Sequence, residues 1–264
     1  MTKKVAKILA ALSIFIGCAL SAFFYSAPQP DDAFIFAGWN IEPFYYKGPQ
    51  GIQGAYYDIM VEVCRTENLR CTFKISEFRK SIDQLKKGET HGGGPYVFTV
   101  PRSSVLSFSE GIFSSTYAFF GLPKTAAEII SYEDLRGYKI GTLVLSGTRV
   151  SLEAVNEFVD GTLTIKEEKS VSSLMQKIDS RQYPLGYINR DGGISWIAKN
   201  HSKIVEIPNL SENLDYRFAF SKKAIPPEKM KSLLEAFPKL RKSGFLKSIA
   251  LKYKLNLTEL GRHP

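Results

Sequence analysis

The chain has 264 residues, of which 44% are hydrophobic and 23% charged, with a formal charge of +9 at pH 7. These are ordinary values for a folded protein able to bury a large core, and the length fits one large or two modest domains. Arginine is not interleaved with aromatic residues as in a single-strand binder, so nucleic acid is excluded as the expected partner.

The opening stretch, MTKKVAKILAALSIFIGCALSAFFYSAPQP, sets Lys3, Lys4 and Lys7 ahead of an uncharged apolar run from Ile8 to about Tyr25. This is the pattern of an export signal, so residues 1–27 are expected to be a signal peptide. Ala19 and Ser21 would satisfy the small-x-small rule for cleavage after Ser21. Two alternatives remain. The apolar run approaches the length of a membrane span, which allows an uncleaved N-terminal anchor. Cys18 after Gly17 allows lipid attachment, although Phe15 and the apolar residues beyond the cysteine fit that poorly. Export places the remainder in the periplasm, and loss of the three lysines lowers the formal charge to +6.

Further along, AFIFAGWN (Ala33 to Asn40) reads as a strand, stopped by the Pro- and Gly-containing loop IEPFYYKGPQGIQG. GAYYDIMVEVCRTEN follows with Tyr57, Val61 and Cys64 at helical spacing. CTFKIS reads as a strand, KSIDQLKKGE as a helix with Ile82 and Leu85 inward and Gly88 closing it, and GGPYVF as a strand. This βαβ alternation predicts a parallel, helix-covered sheet. After FSSTYAFFGLP the rhythm restarts: a capped turn at SYEDLRG, a strand at KIGTLVL, a helix at TRVSLEAVNEFV and a strand at LTIKEE. A helix at SVSSLMQKIDS, a strand at YPLGYI, a helix at GGISWIAKN and a strand at SKIVEIP complete the second unit. Extended crossings near Ala118–Pro123 and Asp215–Ser221 suggest a hinge between two α/β units. The last helices, Pro226 to Ser243 and Phe245 to Tyr253, lack a sheet of their own and must cover one of those units. The expected division is a discontinuous lobe 1 at 33–119 plus 218–264, with lobe 2 at 120–217.

Beyond the signal, Cys64 and Cys71 are the two remaining cysteines. In an oxidising compartment an even pair this close reads as a local disulfide, the alternative being two small buried hydrophobes. With His91, His201 and His263 scattered, no metal site is expected. From Lys222 onward eleven Lys or Arg face three Glu. A solvated helix face explains this, with contact to membrane lipid or a membrane partner as the alternative.

The order of motifs resembles the bacterial periplasmic solute-binding proteins of family 3, the receptors of polar amino acid ABC transporters, from about Ala33 to Tyr253. EPFYYKGPQGIQGAYYDIM is similar to the family's P-P-F…G…G-F-x-x-D-[IL]. GETHGGGPYVFTVPRSSVLSFSEGIF is similar to G-x-x-D…T-P-E-R…F-S-x-P-[YF], and YEDLRGYKIG to D-L-K-G-K-x-[VI]-G. CRTENLRC looks like the disulfide loop of the family's cationic amino acid receptors. The resemblance implies a two-lobed α/β fold of the Venus flytrap kind, each lobe a mostly parallel sheet flanked by helices, joined by two hinge crossings. It also implies a small-molecule ligand trapped between the lobes, an inner-membrane ABC permease as partner, no cofactor, and a monomer.

Residue by residue, Arg102 matches the arginine of T-x-x-R, which forms a forked pair with the ligand carboxylate, and Thr99 lies in the same loop. A guanidinium offers two parallel donors to two oxygens, and the alternative for Arg102 is a structural ion pair with Glu110 or another acid. Several positions depart from the family. His91 stands for its aspartate, and GGPYVF offers mainly backbone and Tyr96 where the receptors have serines. Thr148 is kept, but Arg149 replaces a small hydroxyl. Asn189 falls on the ammonium-pairing aspartate unless a two-residue slip puts Asp191 there. Trp39, Tyr45, Tyr46 and Phe78 are candidate aromatic walls, each equally explicable by loop packing, and Phe44 is the weakest of these candidates.

The function expected is capture of a small carboxylate-bearing, amino-acid-like solute for an ABC-type importer, with no catalysis. LSGTR lacks the G-x-S-x-G elbow and HGGG is no Walker loop. Two other readings stand beside it: a degenerate receptor or sensor domain signalling to a membrane partner, and a periplasmic dehydratase on the same fold using Glu42 or Asp191 as its acid.

Overall fold

The computed structural model describes residues 33–144 and 146–259. The signal or anchor expected at residues 1–27 and the lipid site at Cys18 lie outside the described residues. Among the described residues no helix is long and apolar enough to cross a membrane.

Strand β1 (Phe34–Trp39) pairs in parallel with β4 (Cys71–Ser76) over its whole length, Phe34 opposite Cys71 and Trp39 opposite Ser76. Its other edge pairs in parallel with β5 (Gly92–Val97). A second parallel set is formed by β8 (Lys139–Leu143), β9 (Thr164–Glu168) and β10 (Leu185–Asn189). Two long strands lie between these sets: β7 (Phe113–Gly121) and β11 (Val205–Ser221), antiparallel to each other. The sheet therefore runs β4-β1-β5-β11-β7-β10-β8-β9 without a break. Short strands β6 (Leu106–Phe108) and β12 (Asn256–Leu257) attach to β11 and β7.

The helices begin and end where local chemistry dictates. The Phe78–Lys87 helix stops at Gly88, whose φ of +80° suits glycine and whose N–H reaches back to the last-turn carbonyls. The Gly147–Phe158, Val171–Asp179 and Arg190–Asn200 helices are capped by Ser146, Ser170 and Asn189, each accepting a backbone N–H from the first turn. The two last helices, Pro227–Lys242 and Phe245–Tyr253, pack against the Ala55–Thr66 helix beneath the β1 side of the sheet. Phe218 on β11 is the hub there, with ring centroids 4.4 Å from Tyr56, 4.9 Å from Phe237 and 5.7 Å from Phe36.

Three expectations need correction. The Ala55–Thr66 helix buries Tyr56, Ile59, Met60 and Val63 together with Cys64, whereas Val61 is 39% exposed and Tyr57 half-buried. The stretch is apolar on two adjacent stripes, and packing selects the one facing the sheet. The loop after β1 contains a hairpin, β2 (Tyr46–Gly48) and β3 (Gly51–Gln53), turning at Gly51 with φ of +112°. Finally, SKIVEIP and DYRFAFS belong to one 17-residue strand, β11, which passes Pro208 and Asn209 by shifting register between Glu206 and Ser211.

Cys64 and Cys71 form a disulfide with Cα atoms 6.2 Å apart, tying the end of the first helix to the start of β4. A loop this short contributes about 2 kcal/mol in the chain-entropy model. Paired Cys64→Ala and Cys71→Ala substitutions are expected to lower unfolding stability by that amount in denaturant titrations, and unfolded, unreduced wild type should show no free thiol from this pair.

Candidate functional site

The carboxyl ends of both parallel sets open onto one cavity of about 580 Å³. Trp39, Ser76 and Val97 come from the ends of β1, β4 and β5, and Leu143 and Asn189 from the ends of β8 and β10. Loops and helix N-termini beyond strand ends carry free backbone donors, which is why open α/β sheets bind ligands there. Ser146, Ser170 and Asn189, the caps of three helices, all line the cavity, so those helices direct their positive ends at it. The volume lies within the range of small-molecule sites, roughly 300–1,000 Å³.

Of the residues singled out from sequence, Arg102, Tyr96, Trp39, Phe78, Thr148 and Asn189 line this cavity. Arg102 sits on a one-turn helix, Val100–Ser103, capped by Thr99, whose hydroxyl accepts from the Arg102 backbone N–H at 3.3 Å. Its guanidinium donates to the Val97 carbonyl at 3.0 Å, and among the described residues it has no carboxylate partner. Burial holds its pKa below the usual guanidinium value, while the neighbouring Tyr117 and Tyr96 act the other way. The Glu110 alternative fails because Arg241 takes that carboxylate at 2.6 Å.

The aromatic wall is a packed set. Trp39 meets Phe78 edge-on at 4.7 Å and Tyr96 at 5.0 Å, and the Tyr96 hydroxyl is paired with Ser81 at 2.8 Å. Thr148 is tied into the cap, its hydroxyl accepting from Thr142 at 2.9 Å.

The remaining candidates are placed away from the cavity lining. Thr99 is consumed as a cap, and Tyr45 is buried under β1 with its hydroxyl donating to the Lys74 carbonyl at 3.1 Å. Arg149 turns outward to Glu153 and Glu167. Asp191 accepts from the Ser115 hydroxyl, and burial raises its pKa. Asn189 lines the cavity but is occupied on both sides. Its amide donates to Ser115 at 2.8 Å, and its oxygen accepts from Gly192 N–H at 3.0 Å.

Sequence reasoning missed Tyr117. It lies on β7 at 6% exposure, lines the cavity, and its hydroxyl has no hydrogen-bond partner among the described residues. A Cβ at Gly147 would collide with that hydroxyl, so Tyr117 stands directly against the first turn of the Gly147–Phe158 helix. The alternation of SSTYAFFG, in which Tyr117 is the polar-tipped member of a crossing strand, was the available signal.

No protein-family model matches the chain, and no curated protein matches it. Solved structures share its fold. The arginine-, lysine-, histidine-binding protein ArtJ of Geobacillus stearothermophilus is 19% identical with a TM-score of 0.72, covering 87% of this chain and 96% of its own. An ancestral arginine-binding protein bound to arginine is 19% identical with a TM-score of 0.76, covering 84% and 99%. A histidine kinase sensor domain with similarity to periplasmic binding proteins is 14% identical, also with a TM-score of 0.76, covering 86% and 98%. The chain thus has the two-lobed fold of the periplasmic binding proteins.

His91, at the departure from the family's aspartate, is structural. Its Nδ1 accepts the Ile35 N–H at 3.1 Å, and its backbone N–H donates to the Ile35 carbonyl at 2.8 Å, locking β1 to the start of β5. Burial, aided by Lys229, lowers its pKa from the ordinary 6.5. The unfolded chain therefore takes up the proton first as pH falls. The contribution is present in full above the unfolded pKa and is lost as pH drops through it. Between pH 7.5 and 5 the wild type is expected to lose more Tm than His91→Asn, which keeps an acceptor but cannot titrate; parallel calorimetric melts check this.

Proposed function

We propose that the protein is an extracytoplasmic solute-binding protein of the family 3 type, which captures a small carboxylate-bearing, amino-acid-like solute between its lobes for an ABC-type importer. The observation that carries this is Arg102, a guanidinium inside a largely apolar cleft with no carboxylate partner among the described residues. A desolvated cation without a counter-ion is unfavourable, and a ligand carboxylate would relieve it. The resemblance in sequence motifs and the fold shared with amino-acid-binding proteins support the same reading. The lobe boundaries we propose are 33–119 plus 218–264 and 120–217, with β7 and β11 as hinge crossings. In this reading Trp39, Tyr96 and Phe78 wall the ligand, and closing the lobes requires no chemistry.

A second reading is a sensor domain that signals to a membrane partner, favoured by the similarity to the histidine kinase sensor domain. N-terminal sequencing of the exported protein separates the two readings, since a retained anchor supports the sensor and a cleaved signal the transport receptor.

A thermal-shift screen of amino acids, dicarboxylates and other small acids is expected to find a stabilising ligand, because binding to the native state raises Tm by mass action. Calorimetry with that ligand should show Arg102→Ala weakening binding more than tenfold, as roughly 2–5 kcal/mol is expected for a buried charge-assisted pair. Unchanged affinity would remove Arg102 from the site.

A further inference from the structure

Resting on the solute-binding reading above, we infer that the cavity clasps a carboxylate on an apolar body and has no seat for an α-ammonium group, so that it selects simple carboxylic acids over the amino acids of the same skeleton. Three kinds of donor line the cavity. Arg102 comes from the short helix after β5, and Gly147 and Thr148 from the first turn of the Gly147–Phe158 helix. Tyr117, a residue 6% exposed, sets its hydroxyl, unpartnered among the described residues, against that first turn. A helix N-terminus favours an anion through its free N–H groups and dipole, and a phenol supplies one further donor.

An ammonium group, in contrast, needs acceptors, and four of the polar side chains lining the cavity already use an oxygen as acceptor. Asn189 Oδ1 holds Gly192 N–H, Ser146 Oγ holds Arg149 N–H and Ser170 Oγ holds Ser173 N–H. Asn40 Oδ1 holds Lys47 N–H at 3.0 Å. Asp191 is not part of the lining and accepts from Ser115. The one carboxylate lining the cavity, Glu77, is exposed, and the lining also carries Arg79, Arg102 and Lys169. A ligand ammonium would therefore enter a cavity lined by more cations than anions, which disfavours it. The rest of the surface is apolar: Trp39, Phe78, Ile41, Ile75, Val144 and Val171 offer a hydrocarbon or aryl body its contacts.

The test is titration calorimetry on the purified exported protein with matched pairs: 3-phenylpropanoate against phenylalanine, and 4-methylpentanoate against leucine. At least one acid is expected to bind tenfold or more tightly than its amino acid. Tyr117→Phe, which keeps the ring, is expected to weaken that acid about three- to tenfold, the range of one net hydrogen bond. Equal or tighter binding of the amino acids overturns the inference while leaving a solute-binding protein. Binding confined to dicarboxylates or other amino acids does the same. Absence of binding by any of these acids and amino acids overturns the inference and the solute-binding reading together. Unchanged affinity in Tyr117→Phe removes the hydroxyl from the clasp.

Discussion

The antiparallel pairing of β7 with β11 is the constraint on which the remaining architecture depends. β11 pairs antiparallel with β5 of one set and β7 pairs antiparallel with β10 of the other, so one hydrogen-bonded ladder joins the two half-sheets, whose carboxyl ends reach a common cavity. Parallel strands require helical crossovers, and every crossover helix starts from the carboxyl end of a strand. With the carboxyl ends converging, helix N-termini converge as well, and the cavity acquires a positive lining before any side-chain charge is counted. The caps Ser146, Ser170 and Asn189 are thus doubly placed: they satisfy first-turn N–H groups and form the cavity wall.

Charge among the described residues divides into groups with and without an opposite-charge partner. Structural cations carry their own acids. Arg241 binds Glu110 and the Gly111 carbonyl, Lys177 binds Glu168 with Tyr183 and Ser173 alongside, and Arg149 binds Glu153 and Glu167. Arg102, like Arg217 on the Ser109 carbonyl, has a neutral carbonyl as its hydrogen-bond partner, and of the two only Arg102 lines the cavity. Asp191 shows another case: a half-buried carboxylate outside the cavity lining that accepts from the Ser115 hydroxyl, with its pKa pushed up by burial.

Much of the fold was legible because its signals are local. The alternation of strands and helices follows from short apolar runs separated by helical spacing, and Gly88 needs only its own missing Cβ to end a helix. What was not legible depended on tertiary choice. Tyr56 or Tyr57 could equally have faced inward, and only the sheet beneath, with Phe218 in reach, decides for Tyr56. Pro208 and Asn209 read as an interruption, yet β11 resumes pairing with β7 beyond them because the ladder tolerates a shifted register. At the site, Arg102 could be picked out as a lone cation after a strand end. Tyr117 could not, since a tyrosine in an apolar strand is usually core, and its significance comes from Gly147, 30 positions later, leaving room for its hydroxyl.

Beside the cavity, Glu42 in the loop after β1 meets Lys199 on the Arg190–Asn200 helix at 3.1 Å, at a smaller pocket that shares Asn40, Ile41, Ser170 and Val171 with it. Lys199 is 68% exposed, and such pairs contribute about 0–1 kcal/mol and weaken with salt. Holding the lobes together by that contact alone would give a poorly defined closed state. A carboxylate received by Arg102 in a desolvated interior contributes several times more, roughly 2–5 kcal/mol. For the proposed ligand the balance between open and closed arrangements would therefore follow occupancy of the interior more than this exposed pair.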